Sequence, residues 1–171
     1  RVSKPSLDAD CSQCAALCCV LLPFDKSASF AFDKAGGEPC RNLDACHGCR
    51  IHDQLEEKGF SGCVAFDCHG AGQRVVQEVF EGADWREDLS LLSRLGPAFY
   101  RMRRIHELLL LLREAGKLPL DEAQRGELDR LTGALNPPDG WRETGLADFA
   151  LSAAEADVKQ FLASLRSVVE A

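Results

Sequence analysis

The nine cysteines of this chain are confined to its first 68 residues, although the sequence continues to residue 171. Tetrahedral zinc and iron–sulfur clusters both require several thiolates that converge on one point. The motif Cys11-x-x-Cys14-x-x-x-Cys18-Cys19 places four thiols close together in the chain. This pattern predicts binding of zinc or of an iron–sulfur cluster. The remaining thiols are spaced more widely: Cys40, Cys46, Cys49, Cys63 and Cys68.

Disulfide bonds are the alternative explanation for so many cysteines, and they would be expected in a secreted protein. The odd number of cysteines and the adjacent pair Cys18-Cys19 both argue against a disulfide framework. The chain also begins without an apolar export signal. We therefore expect a cytoplasmic protein with reduced thiols.

Charge and hydrophobicity limit the classes of function. A net charge of −7 argues against a nucleic-acid-binding surface, which would need clustered and unopposed Lys and Arg. The longest apolar run, Leu108–Leu112, is far shorter than the roughly 20 residues of a membrane-spanning helix. We therefore expect no nucleic-acid partner and no membrane segment. With 46% hydrophobic residues, the chain can form one core with a small metal-stapled lobe attached.

The cysteine-rich part is predicted to consist of short elements that bury little apolar surface. In a helix from Cys11 to Leu22, ended by Pro23, the thiols of Cys11, Cys14 and Cys18 would share one face. Since such elements hold together poorly by themselves, metal binding would supply much of their folding free energy. The other predicted elements are an extended piece at Phe30–Phe32, a helix at Arg50–Lys58, a strand at Val64–Phe66 and a helix at Ala71–Phe80.

From Trp85 onward the sequence has the longer amphipathic periodicity of helices. Helices are predicted at Leu89–Leu95 and Pro97–Ala115, separated by Gly96-Pro97. Capping-box spacing predicts two more, starting at Asp121 and at Ser152. We therefore predict a mainly α fold, with an irregular cysteine-rich metal-binding lobe (residues 1–80) packed on a small helical bundle (residues 81–171).

The five consecutive leucines Leu108–Leu112 are apolar on every side of a helix. Such a run is expected either at the centre of the bundle or at a surface for a partner. The partner would be another protein or a second copy of this chain, bound through the helical region. The sequence leaves both interpretations open.

The spacing of the cysteines also carries a family resemblance, over about residues 11–72. Its first block is Cys11-Ser12-Gln13-Cys14-Ala15-Ala16-Leu17-Cys18-Cys19, and later blocks are Pro39-Cys40 and Cys49-Arg50-Ile51-His52. Further cysteines stand in Ser61-Gly62-Cys63 and Asp67-Cys68-His69-Gly70. This pattern resembles the YkgJ-type cysteine-cluster family, described as zinc- or iron-chelating domains with a CxxC motif closely followed by a CC pair.

Several positions depart from the family pattern. Three residues rather than two precede the CC pair, and His52 stands where the family often has Tyr. Cys46 matches no family cysteine and is interpreted as an accessory or free thiol. The resemblance implies eight metal ligands: Cys11, Cys14, Cys18, Cys19, Cys40, Cys49, Cys63 and Cys68.

Eight thiolates are sufficient for two closed zinc sites, or for one iron–sulfur cluster and one zinc. Spacing does not distinguish these, because thiolates serve both metals. The histidines are secondary candidates: packing or ligation for His52, a position at a helix start for His69, an exposed position for His47 and an ordinary helix face for His106.

The function predicted from these features is non-enzymatic. The metal would organise the fold and an interaction surface, or the protein would handle metal for a partner. The alternative is an iron–sulfur redox protein or a component of a protein-modifying enzyme, since the resemblance extends to a FliB-type lysine methylase group associated with an iron–sulfur cluster. No cofactor-binding part of such an enzyme is evident, so its catalytic activity is not carried over.

Overall fold

The computed structural model describes residues 5–169 and is mainly helical. Residues 1–4 and 170–171, the outer ends of the two predicted regions, lie outside the described residues. Within residues 5–169 there is no β-strand, and the only extended pairings are the isolated bridges Phe24–Lys34 and Leu43–Cys49. The α-helices are α1 (Leu17–Leu21), α2 (Ser61–Ala65), α3 (Ala71–Arg74), α4 (Leu92–Ala115), α5 (Glu122–Leu135), α6 (Glu143–Asp148), α7 (Leu151–Ser164) and α8 (Arg166–Val169).

Helix α4 is the centre of the structure. It is 24 residues long and packs against α3, α5, α6 and α7, while α5 also packs against α7. Its residues Phe99, Met102 and Ile105 are completely buried. The predicted helical bundle is therefore confirmed as a set of helices arranged around α4.

The cysteine-rich part shares its core with the bundle. Leu17 and Val20 of α1, together with Ala71 and Val75, belong to the same hydrophobic cluster as Phe99 of α4. All five are completely buried. Because this core is continuous, helices α1 and α3 are positioned directly by the bundle.

The leucine run Leu108–Leu112 packs mainly inside the protein. Leu108, Leu109 and Leu112 are at most 5% exposed, whereas Leu111 is 46% exposed. Most of the run is therefore explained by central burial, and a contact with a second copy stays a prediction. No helix in the described part of the chain has the length and apolarity needed to cross a membrane.

The predicted break at Gly96-Pro97 is wrong, because α4 runs through it. A 3₁₀ turn at Leu89–Leu91 leads directly into this helix. Pro97 removes the amide that would bond to the carbonyl of Ser93. Both residues are exposed. Water can therefore satisfy that carbonyl, and the helix continues with one intrahelical bond fewer.

The predicted helix from Cys11 to Leu22 is also wrong in its first half. Residues 11–16 form turns, and α1 begins only at Leu17. Ala15 and Ala16 have left-handed φ values of 47° and 54°, which a right-handed helix excludes. The thiols of Cys11 and Cys14 are consequently placed by turns and not by one helical face.

Other predictions in the cysteine-rich part had mixed outcomes. The strand expected at Val64–Phe66 is wrong, because Ser61–Ala65 form helix α2. Of the helix expected at Arg50–Lys58, only a 3₁₀ turn at His52–Gln54 is formed. The helix expected at Ala71–Phe80 is confirmed as α3, continued by a π-helical turn at Val75–Val79.

A buried polar network connects α3 to α4 and to the end of α5. The Arg74 guanidinium donates to both carboxylate oxygens of Glu78, at 3.1 and 3.2 Å, and to Asn136 Oδ1 at 2.6 Å. Its Nη1 lies 3.4 Å from His106 Nε2, and His106 Nδ1 lies 2.6 Å from the carbonyl oxygen of His69. His106 is completely buried, so its expected position on an ordinary helix face is wrong.

The two predicted capping boxes provide a test of helix stability. Asp121 accepts a bond from Gln124 N at 2.8 Å, and Gln124 Oε1 accepts one from Asp121 N at 3.0 Å. Helix α7 instead begins at Leu151, one residue before Ser152, without a side-chain cap. We expect Asp121→Ala to lower the free energy of unfolding by about 1 kcal/mol, as for other N-caps. Urea unfolding should show almost no loss for Ser152→Ala; equal losses in both variants would contradict this assignment.

Burial lowers the pKa of His106 from 6.5 to about 4. The unfolded chain therefore binds this proton more readily than the folded protein does, and stability is lost as pH falls from about 6.5 towards 4. Between pH 7 and pH 5 we expect His106 to cost about 2 kcal/mol of unfolding free energy, an effect that His106→Asn should remove. Urea titrations of both proteins at the two pH values measure it. Identical pH dependence in the two proteins would contradict the burial of a neutral His106.

Candidate metal centre

The turn that contains Cys11 and Cys14 is fastened to the region around α3 by side-chain hydrogen bonds. Gln73 accepts from Asp10 N at 2.9 Å and donates to the Asp8 carbonyl at 2.8 Å. The Trp85 indole donates to the carbonyl of Ala15 at 2.7 Å, which holds one of the two left-handed residues. These contacts fix residues 8–15 against the folded core without any regular secondary structure.

Four predicted ligands lie on this turn, on α1 and just before α3; we call Cys11, Cys14, Cys18 and Cys68 the first quartet. A Cβ atom added to Gly72 would lie 2.9 Å from Cys14 Cβ, so only glycine permits this approach of the turn to α3. The thiol of Cys14 also lies 3.4 Å from the carbonyl of Cys11. The carbonyl of Cys68 accepts the bond from Ala71 N at 3.0 Å, which begins α3.

The other four predicted ligands, Cys19, Cys40, Cys49 and Cys63, form the second quartet. Cys40 is tied to α1 by a bond of 3.0 Å from its amide to the carbonyl of Cys19. The antiparallel bridge between Leu43 and Cys49 reverses the chain direction, which brings Cys49 back towards Cys40. Cys19 and Cys63 lie on helices α1 and α2, whereas Cys40 and Cys49 lie in irregular segments.

Cys63 lies on the short helix α2, which a small aromatic cluster holds in place. Phe24 stacks on Phe30 with ring centroids 4.4 Å apart, and Phe60 meets Phe32 edge-on at 5.0 Å. Phe60 directly precedes α2 and is buried. The aromatic cluster therefore positions Cys63, although the thiol side of α2 is exposed.

Electrostatic effects largely follow these two sets, although Cys19 of the second quartet also raises the pKa of Cys11 in the first. Burial raises the pKa of the Cys14 thiol to about 11, and the neighbouring Cys11 and Cys68 thiols add to the effect. Burial likewise raises the pKa of Cys63 to about 11, but there the neighbouring thiols are Cys19, Cys40 and Cys49. Each of these thiols thus senses mainly the other members of its own quartet.

The adjacent pair Cys18-Cys19 is where the two quartets meet. Their sulfur atoms are 3.9 Å apart and share a hydrogen bond. This bond raises the pKa of Cys18 and lowers that of Cys19. After Cys19, the neighbours that most strongly affect Cys18 are Cys14 and Cys11, both in the first quartet. Cys19 in turn raises the pKa of Cys49 and Cys63 in the second quartet, as well as that of Cys11.

In the described part of the chain, the thiols of neither quartet are positioned to coordinate a metal ion. Among residues 5–169, no three Cys, His, Asp or Glu side chains lie close enough together to hold a metal ion as they stand. All nine cysteines are free, with none in a disulfide. Thiolate is the donor that both zinc and iron–sulfur clusters use, so the chemistry of each quartet fits such a group, and binding would require the thiols to move closer together.

A lysine is buried beside the second quartet. Lys34 is only 7% exposed, and its ammonium group donates to the carbonyls of Val20 at 3.1 Å and Ala35 at 2.9 Å. Burial lowers its pKa, while the neighbouring thiols of Cys40 and Cys19 oppose that shift. A cation in this position favours negative charge on the nearby sulfur atoms.

The secondary candidates lie mostly outside the quartets. Cys46 is exposed in the turn between the bridged residues Leu43 and Cys49. The side chain of His52 is 72% exposed, so the packing role expected for it is wrong. His47 was expected to be exposed, but its side chain is only 19% exposed and lies 3.1 Å from an Asp84 oxygen.

Sequence reasoning missed the buried polar residues, which are Lys34, Arg74 and His106 among the described residues. His106 follows Met102 by four residues and precedes Leu109 by three, so helical periodicity places it on the buried face. This periodicity therefore predicts burial of His106. Lys34 has no comparable signal, because it lies in an irregular segment and is buried only by tertiary contacts.

No protein-family model and no solved structure matches this chain. A curated relative is the "Uncharacterized protein YybG" of Bacillus subtilis (strain 168), which is 48% identical over 122 residues. The matched region covers 71% of this chain and 44% of that protein. The chain therefore spans less than half the length of this relative.

Proposed function

We propose that this chain is a metal-binding protein, with one four-thiolate site in each quartet, and that the bound metal organises the fold. The observation that supports this most directly is the division of thiols at Cys18-Cys19. Their sulfur atoms are 3.9 Å apart, and Cys18 is affected next by Cys14 and Cys11. Cys19 affects Cys49 and Cys63 of the second quartet, and also Cys11. Because Cys18 and Cys19 are adjacent on α1, this one short helix would contribute a ligand to each of the two sites.

The second argument is energetic. Between residues 23 and 59, only Lys34 and Leu43 are buried. A segment that buries so little apolar surface gains too little from the hydrophobic effect to offset its loss of conformational entropy. Cross-linking by metal would supply the missing free energy, as it does in small zinc domains. Cys40 and Cys49, both inside this segment, would be the points of attachment.

Zinc with four thiolates has a closed coordination sphere and no position for a substrate. Two such sites would therefore make a structural, non-enzymatic protein, whose ordered surface serves a partner or whose thiols handle metal. An iron–sulfur cluster would use the same ligands and add redox chemistry. Anaerobic purification followed by a visible absorption spectrum separates the two: broad visible absorption, bleached by dithionite, indicates the cluster, and a colourless protein indicates zinc.

Elemental analysis of exposed-cysteine variants tests the proposal. Cys11, Cys46 and Cys63 are all exposed, so replacement by serine disturbs little packing in each case. We expect about two zinc ions in the unmodified protein, since each site uses four thiolates. Cys11→Ser and Cys63→Ser should each lose about one zinc, because each leaves one quartet a ligand short.

Cys46→Ser is the matched control, and it should retain the full metal content. Equal metal content in all three variants and the unmodified protein would contradict the assignment of ligands. A protein purified anaerobically without zinc or iron would contradict metal binding altogether. If an iron–sulfur cluster is present, iron and sulfide replace zinc as the quantities measured.

A further inference from the structure

We infer that each quartet is positioned by one buried polar residue from outside the cysteine pattern: His106 positions the first quartet, and Lys34 supports the second. This inference rests on the proposed function. It assigns roles to two side chains that no family motif includes, and it predicts that each affects one site only.

The protonation of His106 follows from its two partners. A carbonyl oxygen can only accept, so His106 Nδ1 must carry the hydrogen in its 2.6 Å bond to His69. An arginine can only donate, so His106 Nε2 must be the acceptor towards Arg74, 3.4 Å away. His106 is thus a neutral imidazole with one fixed tautomer and two directed contacts.

The bond from His106 acts on the residue that follows a predicted ligand. His69 has a left-handed φ of 51°, which is unfavourable for a residue other than glycine. Its amide donates to Asp67 Oδ1 at 2.7 Å and its carbonyl is held by His106. Because Cys68 lies between Asp67 and His69 in the chain, these two bonds fix the direction in which the Cys68 side chain leaves the backbone.

Lys34 supports the second quartet through charge and through the backbone. Its ammonium group bonds to the carbonyl of Val20, the residue that follows Cys19, at 3.1 Å. Four thiolates around a divalent ion carry a net charge of about −2. Lys34 is only 7% exposed, and its charge interacts with the thiols of Cys19 and Cys40, so it can offset part of this negative charge.

Two matched pairs of variants test these roles. At position 106, the asparagine amide nitrogen takes the place of Nδ1, whereas that of glutamine takes the place of Nε2. His106→Asn therefore keeps the bond to His69, and His106→Gln loses it. At position 34, Lys34→Arg keeps the charge and Lys34→Met removes it with nearly the same side-chain length.

The readout is ¹¹³Cd NMR of cadmium-loaded protein, together with chelator competition. Cadmium bound to the two quartets should give separate resonances, assigned by their loss in Cys11→Ser and in Cys63→Ser. We expect His106→Gln to shift the first-quartet resonance and to weaken that site about 10- to 100-fold, as loss of an outer partner of a metal ligand does. Lys34→Met should act in the same way on the second quartet alone, and His106→Asn and Lys34→Arg should largely restore each site.

The outcomes separate this inference from the proposed function. Failure of the unmodified protein to bind cadmium or zinc would overturn the proposed function. Normal loading, with both resonances unchanged or both shifted equally in His106→Gln and Lys34→Met, would overturn the inference alone. Circular dichroism of the bundle helices identifies a variant that has not folded. In that case, the pair of variants at the other position tests the inference.

Discussion

The folding of this protein depends on how a long segment with almost no core of its own is held in place. Residues 23–59 have two isolated bridges, at Phe24–Lys34 and Leu43–Cys49, in place of a sheet. Lys34 and Leu43 are its only buried residues, and Phe24, Phe30 and Phe32 are half-buried in the aromatic cluster. Ordering such a segment costs conformational entropy that its own contacts do not repay. The thiols distributed along and beside it are the groups able to provide the missing constraint.

Helix α4 packs against the elements that carry part of the cysteine cluster. Through Phe99 and its neighbours it packs against α1 and α3, and through its other faces against α5, α6 and α7. The first quartet is carried on backbone attached directly to this core, by the bonds of Gln73 and Trp85. Of the second quartet, only Cys19 lies on one of these helices, α1. Under the proposed function, the assembly of the second quartet would depend more strongly on the metal than that of the first quartet.

The sequence predicts the bundle better than the cysteine-rich part, for identifiable physical reasons. Helical periodicity and the capping box at Asp121 report local interactions, and both appear in the structure. Burial of the leucine run follows from the same periodicity. Ser152 fails as a cap because α7 starts one residue earlier, which spacing alone does not reveal.

In the cysteine-rich part, local propensity is overruled by tertiary contacts. The left-handed Ala15 and Ala16 have good helix-forming side chains, yet Trp85, distant in sequence, bonds to the carbonyl of Ala15. Cysteine spacing suggests which residues are ligands but not how they divide into quartets, because that division depends on where the loops return. The family resemblance remains a prediction.

Amide hydrogen exchange, followed residue by residue in metal-loaded and chelator-treated protein, tests the central claim most directly. If bound metal holds residues 23–59 in place, their amides should exchange slowly in the loaded protein and rapidly after metal removal. The amides of α4 should stay protected in both states, because their burial does not depend on the thiols. Equal protection of residues 23–59 with and without metal would contradict the account.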